Sequence, residues 1–279
     1  MSVTIRPMEE RDVAEASRIC SLAFGPFVGH PKPEEFFGDL DYFKARFGAR
    51  NTAALVAESD GRLLGSNLIT RWGSVGYFGP LSVRPDAWEG GVGKKLVSAT
   101  LRQFDTWGVT MRGLYTFAQS PKHVGLYYKH GFYPRYLTPV MGYRVSPGAK
   151  ADHWKPLSDV PEAKRDRVFE SVREMSHEIY PGLDLTDEMR SVLERDLGDV
   201  VLLESHGDID GVAVCHVGPA TEAGKDVCYV KFGGVAPTPG APERFTNLLR
   251  AVEAFAADRG LQFLLAGVNT AREEAYKTL

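Results

Sequence analysis

The run Leu81-Ser82-Val83-Arg84-Pro85-Asp86-Ala87-Trp88-Glu89-Gly90-Gly91-Val92-Gly93-Lys94-Lys95-Leu96 holds the most legible chemistry in this chain. It reads as the end of a strand, a glycine-rich turn and the first turn of a helix. Glycines at positions 90, 91 and 93 leave the main chain uncovered, so several N–H groups can converge on one point, and the helix N-terminus adds partial positive charge there. Such a point takes an anion, most often a phosphate, and suggests a phosphorylated cofactor. A glycine-rich turn alone is a weak signal; the elements around it must say which cofactor.

Those elements follow from hydrophobic spacing. Residues 3–7 alternate as a strand that Pro7 ends, and Glu9 to Phe24 carries Val13, Ala16, Ile19, Cys20 and Phe24 at helical spacing. Residues 34–47 form a second helical patch rich in aromatics. A hairpin is expected from Thr52–Glu58 and Leu63–Thr70 around the turn Ser59-Asp60-Gly61-Arg62. Strands over Gly76–Val83 and Arg112–Ala118 flank a helix over Gly91–Trp107, with Leu96, Val97, Leu101 and Phe104 inward. A short helix over Val124–His130 stops at Gly131, a final hairpin is expected within Phe132–Val145, and Ser146 to Asp152 has linker composition.

After that linker the pattern begins again. Trp154-Lys155-Pro156-Leu157 echoes Ile5-Arg6-Pro7-Met8, Leu203 to Gly211 (through His206) echoes Ala57 to Gly65, and Val235-Ala236-Pro237 echoes Val83-Arg84-Pro85. Leu248 and Gly260 match Leu96 and Gly108, and Asn269 to Tyr276 echoes Ser120 to Tyr127. Two structural copies explain so long a register.

Bulk properties narrow the classes. The 279 residues carry a net charge of −3 and are 43% hydrophobic and 25% charged, ordinary for a globular protein of one large or two medium domains. No basic footprint for nucleic acid is present, and no apolar stretch approaches the roughly 20 residues that span a bilayer. The N-terminus, Met1 to Arg6, reads as a strand and not a signal peptide. Cys20, Cys215 and Cys228 lie far apart, without metal-ligand or disulfide-framework spacing, so the expected compartment is a reducing cytoplasm and no metal is expected.

The first copy resembles the GNAT superfamily of acyl-CoA-dependent N-acyltransferases. Trp88-Glu89-Gly90-Gly91-Val92-Gly93 is similar to that family's signature of Gln or Arg, two residues, Gly, any residue, then Gly or Ala. Leu126-Tyr127-Tyr128-Lys129-His130-Gly131-Phe132 is similar to its ending Leu-Tyr-x-Lys-x-Gly-Phe, and the element order between the two agrees. The resemblance implies an α/β (α+β) fold of two GNAT-like domains, each a mixed, mostly antiparallel twisted sheet flanked by helices. Residues 1–146 would form the acetyltransferase domain with the acetyl-CoA site, 147–153 a linker, and 154–279 a degenerate copy without the pyrophosphate loop.

For the site, the resemblance implies that Leu81, Ser82 and Val83 pair with the pantetheine arm through their main chain, one N–H polarising the thioester carbonyl. Glu89, Gly90, Gly91, Val92, Gly93 and Lys94 would wrap the pyrophosphate. Ser120 falls where the family often has an Asn near the pantetheine, and is equally suited to cap the helix before Pro121. Tyr127 falls at the family's general acid; a phenol of reference pKa near 10 can protonate a departing thiolate. Trp88 departs from the pattern, which places the fine contacts of the loop in question.

The implied activity is transfer of an acetyl group from acetyl-CoA to the primary amine of a small molecule, by direct attack in a ternary complex. The general base is not legible. The strand Gly76–Val83 carries no carboxylate, and His30, Glu34, Glu35, Asp39, Asp41 and His123 are candidates, each also suited to a solvated surface. The aromatics Phe24, Phe27, Phe36, Phe37, Tyr42 and Phe43 read mainly as core, with part of them lining an acceptor pocket. Two other readings stand beside this one: a non-catalytic acyl-CoA-binding or regulatory module, and transfer to a protein or peptide amine.

In the second copy, Gly91 and Gly93 correspond to Glu243 and Phe245, and Pro237-Thr238-Pro239-Gly240-Ala241-Pro242 brings prolines, which lack an N–H, to the turn. That copy is expected not to bind CoA, and Tyr276 to be structural. The sequence ends at Leu279, the counterpart of His130, so the second sheet is expected to lack its last strands and to leave an edge. Copy one, a second protomer in a homodimer, or further residues would cover it.

Overall fold

The computed structural model describes residues 2–205 and 207–279. Met1, at the head of the expected first strand, and His206, in the turn that echoes the first hairpin, lie outside the described residues. The chain divides into two compact units, Met1–Arg135 and Tyr136–Leu279.

In the first unit, β1 (Thr4–Pro7), β2 (Thr52–Ser59), β3 (Arg62–Trp72), β4 (Val75–Val83) and β5 (Met111–Leu114) form one sheet in that order. All neighbours are antiparallel except β4 and β5. Asp60 and Gly61, with φ of 52° and 74°, make the tight turn between β2 and β3 that right-twisted strands favour. The parallel pair requires a crossover, which α3 (Val92–Thr106) supplies. Val97 and Phe104 of α3 pack with Ile69, Phe78 and Val109 on one face of the sheet. Ala16 and Cys20 of α1 (Glu10–Phe27) pack with Phe43, Val56 and Leu68 on the other. Adjacent Leu68 and Ile69 thus serve opposite layers, as the period of two demands.

Four expectations are corrected. The patch 34–47 is not one helix: a 3-10 turn at Pro33–Glu35 and α2 (Tyr42–Arg46) are separated at Gly38, whose φ of 57° ends any right-handed run. The strand expected over 112–118 stops at Leu114, and the last helix of the unit, α4 (Pro121–Tyr128), starts a turn earlier than its apolar pattern because Ser120 caps it. The hairpin within 132–145 does not form. Only β6 (Val140–Arg144) appears there, and it belongs to the second sheet.

That sheet has the order β6, β11 (Phe263–Gly267), β10 (Gly224–Val235), β9 (Asp208–Gly218), β8 (Gly198–Ser205), β7 (Trp154–Pro156). Its helices are α5 (Glu162–Ile179), α6 (Thr186–Glu194), α7 (Ala241–Asp258) and α8 (Glu273–Thr278). Again the one parallel pair, β10 with β11, is bridged by a helix. β6 runs antiparallel along β11, from Arg144 opposite Phe263 to Val140 opposite Gly267. The edge expected to be bare is therefore covered from within the chain, which spares a row of unpaired N–H and C=O groups. This pairing also moves the division of the chain. The units part between Arg135 and Tyr136 instead of after Ser146, and the stretch with linker composition connects β6 to β7 inside the second unit.

No helix among the described residues is long and apolar enough to cross a membrane. Gly142 of β6 meets its neighbour closely: a Cβ there would lie 2.7 Å from the Leu264 carbonyl oxygen and would overlap the Leu265 side chain. Gly142→Val is expected to cost about 1–3 kcal/mol by overpacking, measured by urea unfolding followed through the fluorescence of Trp154.

Candidate active site

β4 is held on both sides only in its first half. Its pairing with β5 runs from Val75–Met111 to Phe78–Leu114 and ends there, while β4 continues to Val83. On the other side β3 stays paired with it through Gly65–Val83, after a register shift between Asn67 and Ile69. The guanidinium of Arg46 donates to the Gly79 carbonyl at 2.6 Å and so anchors the strand where it leaves β5. Leu81, Ser82 and Val83 therefore lie on a stretch whose β5-side main chain has no strand partner. The Ser82 side chain is turned inward, its hydroxyl 3.2 Å from that of Ser66.

The glycine turn follows at the end of this strand. Gly91 is the N-cap of α3 in the left-handed conformation, φ 74°, which a Cβ would strain. Glu89 also has positive φ, 69°. A Cβ on Gly93 would stand 3.5 Å from Leu126, 3.8 Å from Val83 and 4.0 Å from Leu81, so the turn, the end of β4 and α4 converge at this residue. The N-terminus of α3 lacks both usual supports. No side chain caps it and no acid lies in its first turn. It carries Lys94 and Lys95 instead; the Lys95 ammonium reaches the Val3 carbonyl at 3.0 Å, and Lys94 has no partner among the described residues. Cations at the positive end of a helix are unfavourable unless an anion joins them, so this turn is suited to a phosphate.

α4 stands across from the turn. The Ser120 hydroxyl accepts from the His123 N–H, so it serves as the N-cap. Tyr127 is buried among Phe78, Phe104 and Phe132, with ring centroids of Phe78 and Phe132 at 5.8 and 6.5 Å. Burial pushes its phenol up to about 12. No described residue hydrogen-bonds its hydroxyl.

Residues 17–132 match the family model described as Acetyltransferase (GNAT) family. That match falls within the first unit. The matched stretch contains both the glycine turn and Tyr127. Among solved structures, a protein of Pyrococcus horikoshii classed as an acetyltransferase is 16% identical, with a TM-score of 0.63, over 99% of this chain and 83% of that one. A GCN5-related N-acetyltransferase from Sphaerobacter thermophilus is 17% identical, with a TM-score of 0.59, over 96% of this chain and 86% of that one. At such identities the likeness is one of fold, and it runs through both units. No curated protein matches the chain.

The departure from the GNAT signature at Trp88 has a structural account. Its indole N–H donates to the Val83 carbonyl at 2.8 Å, tying the turn back to the end of β4. The ammonium of Lys122, on the first turn of α4, lies 5.1 Å from the same ring. The exposed Trp88 thus braces the loop from one side and holds a cation beside it, a contact that residue spacing did not reveal.

The corresponding place in the second unit is built differently. The buried face of α7 keeps the expected register, with Leu248, Leu249, Ala251 and Val252 where α3 buries Leu96, Val97, Ala99 and Thr100. Yet α7 has 18 residues to the 15 of α3 and begins a turn earlier, capped by Gly240 at φ 88°. Glu243 and Phe245 therefore lie inside a helix. Arg244 folds back over the preceding loop and donates to the carbonyls of Ala236, Thr238 and Pro239. The sequence comparison missed both Gly240 and Arg244, because it carried the core register through the turn.

Of the candidates for a base, five are engaged elsewhere or exposed. His30 has its Nδ1 2.8 Å from the Lys32 carbonyl oxygen, Glu35 pairs with Lys32, and Asp41 caps α2 by accepting from the Lys44 N–H. Glu34 and Asp39 are exposed. His123 differs. Its ring meets Phe27 at 5.0 Å and Phe117 at 6.1 Å, and its Nδ1 is buried without a hydrogen-bond partner among the described residues. Burial, aided by Lys122, holds its pKa below the ordinary value of 6.5. Phe43 is core, as expected, whereas Phe24 and Phe27 join Phe117, a residue expected to lie inside a strand and found beyond the end of β5. Among the described residues no cluster of three or more His, Cys, Asp or Glu side chains could hold a metal ion.

An NMR titration of the His123 ring is expected to show a midpoint below 6.5. Phe27→Ala, which opens the ring to water, should raise it, because the neutral form is favoured by desolvation.

Proposed function

We propose that the first unit is an N-acetyltransferase that moves an acetyl group from acetyl-CoA to the primary amine of a small molecule. The observation that carries this reading is the convergence at Gly93 of three parts: a strand with a bare half-edge, an acid-free helix N-terminus bearing Lys94 and Lys95, and the helix that holds Tyr127. In this reading Glu89, Gly90, Gly91, Val92, Gly93 and Lys94 take the pyrophosphate, and the main chain of Leu81, Ser82 and Val83 aligns the pantetheine arm. Ser120 would lie beside that arm while capping α4. Acetyl-CoA supplies an activated acyl group; the protein supplies alignment and polar contacts.

The role of Tyr127 is sharpened by its burial. A phenol near 12 is a weaker acid than a thiol of reference pKa near 8.5 by roughly 3–4 units, or about 5 kcal/mol. Tyr127 therefore stays protonated and donates a hydrogen bond to the sulfur as charge develops on it. Net proton delivery is completed by the proton that the amine sheds. Arg244 and the longer α7 support a single acetyl-CoA site in the chain, with Tyr276 structural.

Acetyl-CoA turnover across amines, amino acids and polyamines tests the reading. Tyr127→Phe is expected to lower kcat about 10²-fold with little change in acetyl-CoA affinity. Acetyl-CoA binding without transfer, indifferent to Tyr127→Phe, would instead favour a non-catalytic binding module.

A further inference from the structure

Acylation of an amine needs a group to receive the proton that nitrogen sheds, and nothing on β4 can do so. His123 and Tyr127 stand four residues apart on α4, hence on the same face of the helix, with Cβ atoms about 5–6 Å apart. The imidazole is also enclosed. Phe27, from the end of α1, and Phe117, from the segment after β5, flank it and pack on each other at 4.6 Å. Phe24 continues the wall at 5.9 Å from Phe117, and Phe37 continues it at 6.0 Å from Phe24.

We infer that His123 is the general base of the reaction, and that the aromatic wall around it admits an amine carried on an aryl or similarly apolar body. This inference rests on the acetyl-transfer reading. Its geometry supplies what that reading lacks, a base and a donor on one helical face. The neutral amine forms the N–C bond with its lone pair, the C–S bond breaks, and the unprotonated ring nitrogen of His123 takes the proton from nitrogen. Sulfur leaves as thiolate, accepts a hydrogen bond from Tyr127 and takes up one proton, so that amide and free thiol are the products. The depressed pKa of the imidazole keeps it in the base form at neutral pH. The one charged group acting on it is Lys122 of its own helix, since Phe27 and Phe117 bring no charge. That lone cation disfavours acceptors bearing several positive charges, whereas the aromatic faces favour an aryl group.

The test measures kcat and KM from about pH 5 to about pH 9 with 2-phenylethylamine and with putrescine, by release of free thiol. Acetyl-CoA binding is read separately by calorimetry. The expected result is a clear preference for 2-phenylethylamine and an acidic limb that titrates below the ordinary histidine range. His123→Gln should abolish that limb and lower kcat about 10²-fold, with acetyl-CoA affinity unchanged. Added imidazole should restore part of the activity of His123→Ala. Phe27→Ala should raise KM for 2-phenylethylamine roughly tenfold and leave kcat nearly intact. A His123→Gln enzyme that keeps the wild-type rate and acidic limb, or a wild-type preference for putrescine, overturns the inference while leaving acetyl transfer standing. A wild-type protein that fails to bind acetyl-CoA overturns both.

Discussion

The parting of β4 from β5 after Phe78 and Leu114 is the constraint on which the rest of the first unit depends. A parallel pair needs a helical crossover, so α3 must begin where β4 ends. Because β5 stops early, β4 runs on with one edge lacking a strand partner, and the helix N-terminus is delivered beside that edge. β3 keeps β4 straight from the other side, and Arg46 holds its Gly79 carbonyl. The fold thus creates an unpaired main-chain edge, costly in an ordinary sheet, at the place where an extended ligand could pair with it.

The two units differ where the first presents its glycine turn. Each has a single parallel pair bridged by a helix, and α3 and α7 bury equivalent faces. The difference lies in one turn at the helix start. Both helices start on a left-handed glycine, but in α3 free N–H groups and lysines follow it. In α7 the helix begins earlier, with Glu243 in its first turn, and Arg244 occupies the carbonyls of the loop. Core packing tolerates both versions because the buried residues lie further along the helix. The charge and the free N–H groups offered to an anion, by contrast, are set by the first turn alone.

α4 joins two environments within eight residues. Tyr127 faces the core layer of Phe78 and Phe132, and His123 faces the aromatic wall of Phe27 and Phe117. Low polarity acts on both in opposite senses, raising the phenol and lowering the imidazole. Each is thereby held neutral at physiological pH, the phenol as a donor and the imidazole able to accept a proton.

What the sequence determined by itself was local. Hydrophobic periods located most strands and helices of the first unit, echoes of that pattern marked the second, and the motifs around Gly91, Gly93 and Tyr127 carried the resemblance to the GNAT family, because turn chemistry and helix starts are encoded by neighbouring residues. Long-range pairing was decided only in the tertiary structure. β6 was legible only as part of a local hairpin, not as the strand that closes the edge of β11, since register between distant segments depends on which edge is left unpaired. The tertiary structure likewise separated His123 from five other candidates, drew Phe117 into the aromatic wall and moved the start of α7. Burial, ring contacts and the seat of Arg244 depend on residues far apart in the chain, and spacing along it carries no record of them.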